Sequence, residues 1–366
     1  MNENQLNRKM RVGIVGATGY VGQRFATILS GHPWFKVTVL AASARSAGKT
    51  YREATADRWN IDRPMPPEMA DMILFDAADI KALTEEVDFL FCAVDMPKTE
   101  LIALEEALAR TETPVVSNNS ANRWGEDIPV IIPEINPHHC DIIPLQRKRL
   151  GTERGFIVTK PNCSIQTFMP PLAPLMEFGP ERIFVCTYQA ISGAGKTFKS
   201  WPEMEYNLIP FISGEEEKTE REPLKIWGYI TDGKFVSATL PMITAQCYRV
   251  PVQEGHTAAV SVAFRKPVSI EEILVRWQEY RSLPQKLNLP TAPKQPIHYL
   301  TDNNRPQVLL DVDRENGMAI SVGRLRPDPL LDYKFACLSH NTIRGAAGGA
   351  VLTAELLVKQ GFIRNK

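Results

Sequence analysis

The stretch "MRVGIVGATGYVGQRFATIL", residues 10–29, constrains this chain more than any other. The apolar run from Val12 to Val15 leads through a glycine turn into Val21, Phe25, Ile28 and Leu29 at helical spacing. That order predicts a buried strand, a tight turn and a helix. Gly16, Gly19 and Gly22 form GxxGxxG at the turn. The first two would let backbone approach a phosphate, and the third would let the helix lie close on the strand. The helix N-terminus then favours negative charge. A purely structural turn would explain the glycines alone, but the strand–turn–helix setting favours a bound dinucleotide.

The same alternation continues. "FKVTVLAAS", "VDFLFCAVD", "TPVVSNNSA" and "IPVIIPEIN" read as further strands, and "KTELIALEEALAR" as a helix. Continuously apolar strands alternating with helices predict an α/β, Rossmann-like, doubly wound parallel sheet over about residues 8–160. A cofactor with a free ribose 2′-hydroxyl usually meets Asp or Glu at the end of the second strand. Here that strand ends "AASARSAGK", with no carboxylate. Ser43, Arg45, Ser46 and Lys49 would suit a 2′-phosphate, so NADP is expected rather than NAD. The bland alternative for these residues is a polar surface loop.

Beyond about residue 160 the pattern changes. "ERIFVCTYQAISG", "KFVSATLPM", "AQCYRVPV" and "HTAAVSVAFR" alternate or are β-branched, which predicts a largely antiparallel sheet. "SIEEILVRWQEY" reads as an amphipathic helix. "SHNTIRGAAGGAVLTAELLVKQG" reads as a long small-residue helix ending near Gly361 and returning to the first domain. The charge run "GEEEKTERE", 214–222, is by default a solvated helix face, and "CDIIPLQRKRLGTERG", 140–155, by default a basic surface loop.

A length of 366 residues makes two domains the default, and 44% hydrophobic with 23% charged residues argues against disorder. The 42 basic and 42 acidic residues cancel, which leaves no electrostatic case for nucleic acid or an acidic membrane. No apolar run is long enough to span a bilayer, and the polar start "MNENQLNRKM" lacks the order of a signal peptide, so a cytoplasmic protein is expected. Cys92, Cys140, Cys163, Cys186, Cys247 and Cys337 are scattered, without zinc spacing, and no metal is expected.

Cys163 stands apart from the other cysteines. In "VTKPNCSIQTFMPP", Pro161 and Asn162 resemble helix-entry residues, which would place Cys163 in a first turn. A nucleophilic thiol needs a lowered pKa, and a helix N-terminus and a nearby imidazole both supply one. His256 in "YRVPVQEGHTAAVSV" follows a glycine that lets the chain turn and precedes a strand that would fix the ring, although a structural role fits it equally on composition.

Taken in order, "GATGYVG", "AASARSAGK", "PNCS", "QAISGAG", "EEEK" and "RVPVQEGH" resemble the motifs of aspartate-semialdehyde dehydrogenases, most closely the archaeal and fungal-type branch that also occurs in bacteria. The resemblance runs from the first strand to the last helix. It implies an oligomeric, NADP-dependent enzyme, a homodimer or homotetramer. Residues 8–160 would bind NADP, completed by a C-terminal helix over 341–364, and 161–340 would form an α+β catalytic and dimerisation domain. The implied reaction converts L-aspartyl 4-phosphate to L-aspartate 4-semialdehyde and phosphate, a step towards lysine, threonine, methionine and isoleucine.

The resemblance also implies roles. Cys163 matches the nucleophile that forms a thioacyl enzyme, His256 the general acid/base, and Gln189 the residue that orients the acyl group. Arg249 matches the arginine that grips the substrate carboxylate, and Glu215 the acid that meets its amino group, with Glu216 and Glu217 open as alternatives. Arg123 and Lys218 match phosphate-site residues, and the Asn162 amide and Cys163 N–H are candidate oxyanion donors. Ser192 and Gly193 match the nicotinamide-side loop, and Asn341 a cofactor contact. Thr18, Tyr20 and Val21 complete the cofactor turn with Gly16, Gly19 and Gly22.

Three other readings remain at this point. An N-acetylglutamyl-phosphate reductase and a malonyl-CoA reductase share the chemistry but use substrates without a free ammonium. A dinucleotide-binding regulator would have no use for Cys163, Gln189, Arg249 and His256 together.

Overall fold

A computed structural model describes residues 8–366. The polar start of the chain, on which the absence of a signal peptide was read, lies mostly in residues 1–7, outside the described residues. The predicted first strand forms as β1 (Met10–Val15) and the helix as α1 (Tyr20–Leu29). β2 (Phe35–Ala42), β3 (Leu74–Asp76), β4 (Phe89–Cys92), β5 (Val115–Ser117) and β6 (Ile157–Thr159) join β1 in one parallel sheet of order β3-β2-β1-β4-β5-β6. The order reverses between β1 and β4, and the strand ends there open a crevice of the kind that takes dinucleotides. Helices α2 (Lys98–Arg110) and α3 (Ile143–Leu150) belong to the same half. The basic segment 140–155 is therefore built on a short helix, Ile143–Leu150, stopped by Gly151 in the left-handed region, and only its last residues form a loop.

"IPVIIPEIN" is not a strand. Only Val130 bridges to Thr159. The Asn136 side chain takes over the backbone pairing, with Oδ1 accepting from Ile132 N–H at 2.9 Å and Nδ2 donating to the Val130 carbonyl at 2.8 Å. Pro129 and Pro133 have no N–H to give a ladder.

The second half begins with α4 (Ile165–Leu172). β7 (Pro180–Gln189) follows, then α5 (Glu215–Ile226). β8 (Tyr229–Thr231) and β9 (Lys234–Val236) pair as a separate hairpin, so only the first residues of "KFVSATLPM" are strand. β10 (Met242–Arg249), β11 (His256–Phe264), α6 (Ile270–Glu279), β12 (Ile297–Leu300), β13 (Ile320–Pro327) and β14 (Tyr333–Ser339) complete it. The sheet order is β10-β7-β11-β14-β13-β12. Its centre is antiparallel, as expected, but both edge pairs, β10/β7 and β12/β13, are parallel. α6 is opened by a capping box between Ser269 and Glu272.

The last helix starts as a π-helical segment, Ile343–Ala347, and continues as α7 (Gly348–Lys359). Its Val351, Leu352, Leu356 and Leu357 share one apolar cluster with Val12, Phe25 and Phe91 of the first half. At its head, Arg344 forks onto Glu134, with Nη1 and Nη2 at 2.5 and 2.9 Å from the two carboxylate oxygens, and both side chains are buried. Removing one partner of such a pair strands the other charge in low dielectric.

Arg344→Met should therefore lower the unfolding free energy by about 3–5 kcal/mol, read as a lower urea midpoint. Adding Glu134→Leu should restore most of the loss. A double variant no better than the single would mean that the uncompensated charge is not the cause.

Candidate active site

Register brings the site together. β7 and β10 are parallel with Gln189 paired to Arg249, so both strands deliver their last residue to one edge. β11 runs antiparallel to β7 and starts at that edge with His256. β6 ends at Thr159, and the chain crosses from there through Cys163 into α4. α5 packs on β10 and adds Glu215.

Cys163 Sγ lies 3.3 Å from His256 Nε2. On the other side of the ring, Ala190 N–H donates to Nδ1 at 3.1 Å. A main-chain N–H can only donate, so Nδ1 keeps its lone pair and a neutral ring carries its proton on Nε2. Burial, assisted by Arg249, His340 and Lys160, pushes His256 well below the usual imidazole range, so the ring is neutral. Nε2–H thus faces the sulfur as a donor.

The expected source of a low thiol pKa needs correction. Burial, with Glu215, pushes the Cys163 thiol up, while Lys160, Arg249 and Arg123 pull it down. The imidazole is uncharged, and Cys163 precedes the assigned helix, whose N-cap is Ser164. The thiolate therefore draws its support from three cationic side chains rather than from an imidazolium. The other five cysteines are buried.

Glu215 is the hub of the polar site. Its carboxylate accepts from Asn162 Nδ2 at 2.9 Å on each oxygen, from Lys218 Nζ at 2.9 Å and from Gln189 Nε2 at 3.3 Å. Burial pushes its pKa up, but Lys218, Asn162 and Gln189 outweigh that and hold it below the usual carboxylate range. Glu216 instead accepts from Cys247 N–H at 3.2 Å, and Glu217 pairs with Arg221 on the surface. Of the three glutamates only Glu215 meets the site. The charge run is therefore solvated on one face only, because Glu215, Thr219 and Glu222 are buried on the other.

Asn162 turns its amide N–H groups to Glu215, and its Oδ1 accepts from Ser164 N–H at 2.8 Å. That orientation does not present the amide as an oxyanion donor. Arg123 bonds Glu222 at 2.8 Å, and its buried Nε has no partner. Arg249 Nη1 donates to the Ala190 carbonyl at 2.6 Å. Gly193 lies over this pair, since a Cβ there would stand 2.9 Å from Arg249 Nη1 and 3.1 Å from His256 Cε1.

Three residues here were not foreseen. Lys160, directly before "PNC", is buried and donates to the Pro161 carbonyl at 2.6 Å, and burial pushes its pKa down to about 7. Glu222 binds Arg123 and also accepts from Asn162 N–H at 2.8 Å; its place seven residues after Glu215 on a helix was the available signal. Glu254 gathers Tyr20 Oη at 2.5 Å, Arg24 Nη2 at 3.0 Å, Ser192 Oγ at 3.0 Å and Thr342 Oγ1 at 3.0 Å. Asn341 is likewise engaged at both ends, accepting from Gly255 N–H at 2.7 Å and donating to Ser192 Oγ at 2.8 Å. It therefore positions the loop of Ser192.

The crevice fits a dinucleotide. A Cβ on Gly22 would stand 2.1 Å from the Gly16 carbonyl oxygen, so only glycine lets α1 sit this close to the turn. Thr18 and Gly19 line the turn, and the first-turn N–H groups of Tyr20 and Val21 have no intrahelical acceptor. The Tyr20 hydroxyl is held by Glu254, which leaves its backbone for a phosphate. Past β2, Ser43 and Arg45 are exposed, and Ser46 is buried and accepts from Arg58 Nη2 at 3.2 Å. No carboxylate stands where a free 2′-hydroxyl would be met.

Residues 11–143 match the family model described as semialdehyde dehydrogenase, NAD binding domain, and residues 172–344 the one described as semialdehyde dehydrogenase, dimerisation domain. The chain is 42% identical over 354 residues to the aspartate-semialdehyde dehydrogenase of Archaeoglobus fulgidus, covering 96% of this chain and 99% of that protein. It is 43% identical over 362 residues to that of Schizosaccharomyces pombe, at 96% and 99% coverage. Among solved structures, aspartate semialdehyde dehydrogenase with NADP from Candida albicans superposes with a TM-score of 0.87 at 38% identity, covering 97% of this chain and all of that one. Aspartate semialdehyde dehydrogenase II complexed with ASA from Vibrio cholerae gives 0.73 at 26% identity, with 97% of this chain covered.

Because the Cys163 thiol is raised, its alkylation by iodoacetamide should climb with pH through and above neutrality, with no inflection from a titrating His256 near pH 6.5. Lys160 carries its charge below its pKa of about 7, so Lys160→Met removes a cation that favours the thiolate there and should lower the acid side of the profile. The rate at pH 7 should fall by about 3- to 10-fold. An unmoved profile would mean that Lys160 does not act on the thiol.

Proposed function

This chain belongs to the aspartate-semialdehyde dehydrogenase family, and we propose that it reduces L-aspartyl 4-phosphate to L-aspartate 4-semialdehyde and phosphate through a thioester on Cys163. The observation that carries this reading is the grouping of one nucleophile, one ionised carboxylate and one guanidinium around a small polar site: Cys163, Glu215 and Arg249. An aspartyl group offers an acyl carbon, an α-ammonium and an α-carboxylate to match them. The cofactor is NADP.

An acyl phosphate is already activated. The Cys163 thiol first releases its proton to solvent; attack by the thiolate then forms the C–S bond and breaks the C–O bond to phosphate, whose charge Arg123 and Lys218 take up. The unpartnered Nε of buried Arg123 is a donor ready for it. Arg249 holds the α-carboxylate, and Glu215 holds the ammonium, exchanging its bonds to Lys218 and Gln189 for the substrate's. Lys218 is then free to face the phosphate. Gln189 orients the acyl group from the end of β7. The hydride is the contribution of NADPH when it is bound. His256 Nε2–H donates a hydrogen bond to the oxygen that develops charge; as that oxygen's electron pair re-forms the carbonyl, the C–S bond breaks, the aldehyde leaves and Cys163 returns as its thiolate. A single oxyanion donor of this kind contributes about 10²–10³-fold.

The rival substrates fit less well. Neither N-acetylglutamyl phosphate nor malonyl-CoA carries a free ammonium, and a buried ionised Glu215 would find no partner on either. We further propose a homodimer or homotetramer, since β7 and β10 of the second sheet leave Phe184, Tyr188 and Met242 exposed. No helix of the described residues is long and apolar enough to cross a membrane, and a cytoplasmic site is proposed because all six cysteines are free thiols. The product feeds lysine, threonine, methionine and isoleucine synthesis.

The test is NADP reduction with aspartate semialdehyde and phosphate, compared with succinate semialdehyde. Glu215→Gln should lower kcat/KM for the amino-bearing aldehyde by about 10- to 100-fold and leave any activity on succinate semialdehyde almost unchanged. Equal wild-type rates on the two aldehydes would remove the ammonium role from Glu215.

Arg45→Ala should raise KM for NADPH by about tenfold or more and leave KM for NADH alone, because only NADPH has a phosphate for the guanidinium. Equal losses with the two cofactors would make Arg45 structural.

A further inference from the structure

We infer that Arg147, Arg154 and Arg364 form a binding site for a tetrahedral oxyanion such as phosphate, on the edge of the first sheet opposite Cys163. These side chains line a cavity of about 270 Å³ with Pro114, Glu153 and Phe362. Pro114 and Arg154 lie just ahead of β5 and β6, whereas Cys163 follows the far end of β6, and the two strands are parallel. The cavity is thus separated from the thiol by the length of the sheet.

The three cations are short of compensation. None forms an ion pair with a carboxylate among the described residues. Arg147 is pushed below the usual guanidinium range by burial and by the nearby charges of Arg364 and Arg154. Glu112, nearby, spends its oxygens on the backbone N–H groups of Glu153, Arg154 and Gly155. Glu153 at the rim and Glu112 behind it offset part of the charge, and three guanidinium groups against two carboxylates leave a surplus of positive charge.

Some donors are already committed. Arg147 Nη2 reaches the carbonyls of Arg154 and Phe362 at 3.0 and 2.8 Å, and the two Nη atoms of Arg154 reach those of Asn365 and Arg364 at 3.1 and 2.8 Å. These bonds pin the chain end across the cavity. They leave Nη1 of Arg147 and both Nη atoms of Arg364 without a protein acceptor among the described residues, and the buried Nε atoms of Arg147 and Arg154 without any. Guanidinium forks match the spacing of phosphate oxygens, and a dianion at this point would neutralise the surplus charge. A cavity of this size takes the anion but not a dinucleotide.

The site also holds the tail of α7. That helix spans about 18 Å, and it runs between the arginine cluster at its end and Gly345 at its head, which packs on Cys163. An anion that tightens the chain end therefore stabilises the element whose other end supports the nucleophile.

The experiment is equilibrium dialysis of the full chain with radiolabelled inorganic phosphate at constant ionic strength. The double variant Arg147→Gln, Arg364→Gln should bind one phosphate fewer per chain than the wild type, whatever the active site itself holds. KM for phosphate in the aldehyde-oxidising direction should be unchanged. Arg364→Gln alone, at an exposed position that cannot unfold the core, should weaken this second binding by about 10- to 100-fold. Competition by O-phosphoserine would identify the ligand as a phosphate monoester, and its failure would leave free phosphate. Equal phosphate counts in wild type and double variant, or a loss of binding that raises KM for phosphate in parallel, would overturn the site.

Discussion

One main-chain hydrogen bond, from Ala190 N–H to His256 Nδ1, decides what the Cys163–His256 pair presents to the site. It fixes the tautomer, and with it the proton on the nitrogen that faces Cys163. The bond exists because β7 ends at Gln189 just where β11 begins, so the residue after one strand meets the first residue of the other. Sheet register, set by the packing of Val185, Val260 and Phe335 in the second core, therefore reaches directly into the chemistry. His256 in this state is a donor before it is a base.

The remaining charges follow from that arrangement. A neutral imidazole does not stabilise a thiolate by charge, and the site answers with Lys160, Arg249 and Arg123. Three buried cations need acids in turn, which Glu215 and Glu222 supply from one face of α5. Those two carboxylates bind the Asn162 amide and backbone as well, and so hold the loop that carries Cys163. The polar network thus positions Cys163 and leaves the buried Nε of Arg123 a spare donor.

Much of this was legible in the sequence, for physical reasons that differ by residue. The glycine turn is a local rule of backbone approach, and β1, α1 and β2 formed where their apolar periods place them. The Cys163–His256 pairing rested on the motif set rather than on spacing. "IPVIIPEIN" misled because its apolar period is that of a strand, while Asn136, outside the apolar positions, supplies the partners a neighbouring strand would have given. Lys160 was illegible because its importance lies in the absence of a carboxylate bonded to it, which no local pattern records. Glu254 joins α1, the Ser192 loop and Thr342, three segments far apart in the chain, and only the folded structure brings them together.

Turnover by the proposed route requires that Cys163 carries the acyl group. The direct measurement is intact and peptide mass spectrometry of enzyme mixed with aspartate semialdehyde and NADP in the absence of phosphate, quenched in acid within a turnover. Phosphate-free conditions stall deacylation, so one aspartyl adduct per chain is expected, on the peptide bearing Cys163, removed when phosphate is added. An unmodified Cys163 during continuing NADP reduction, or an adduct on Cys92 or Cys247 instead, would contradict it.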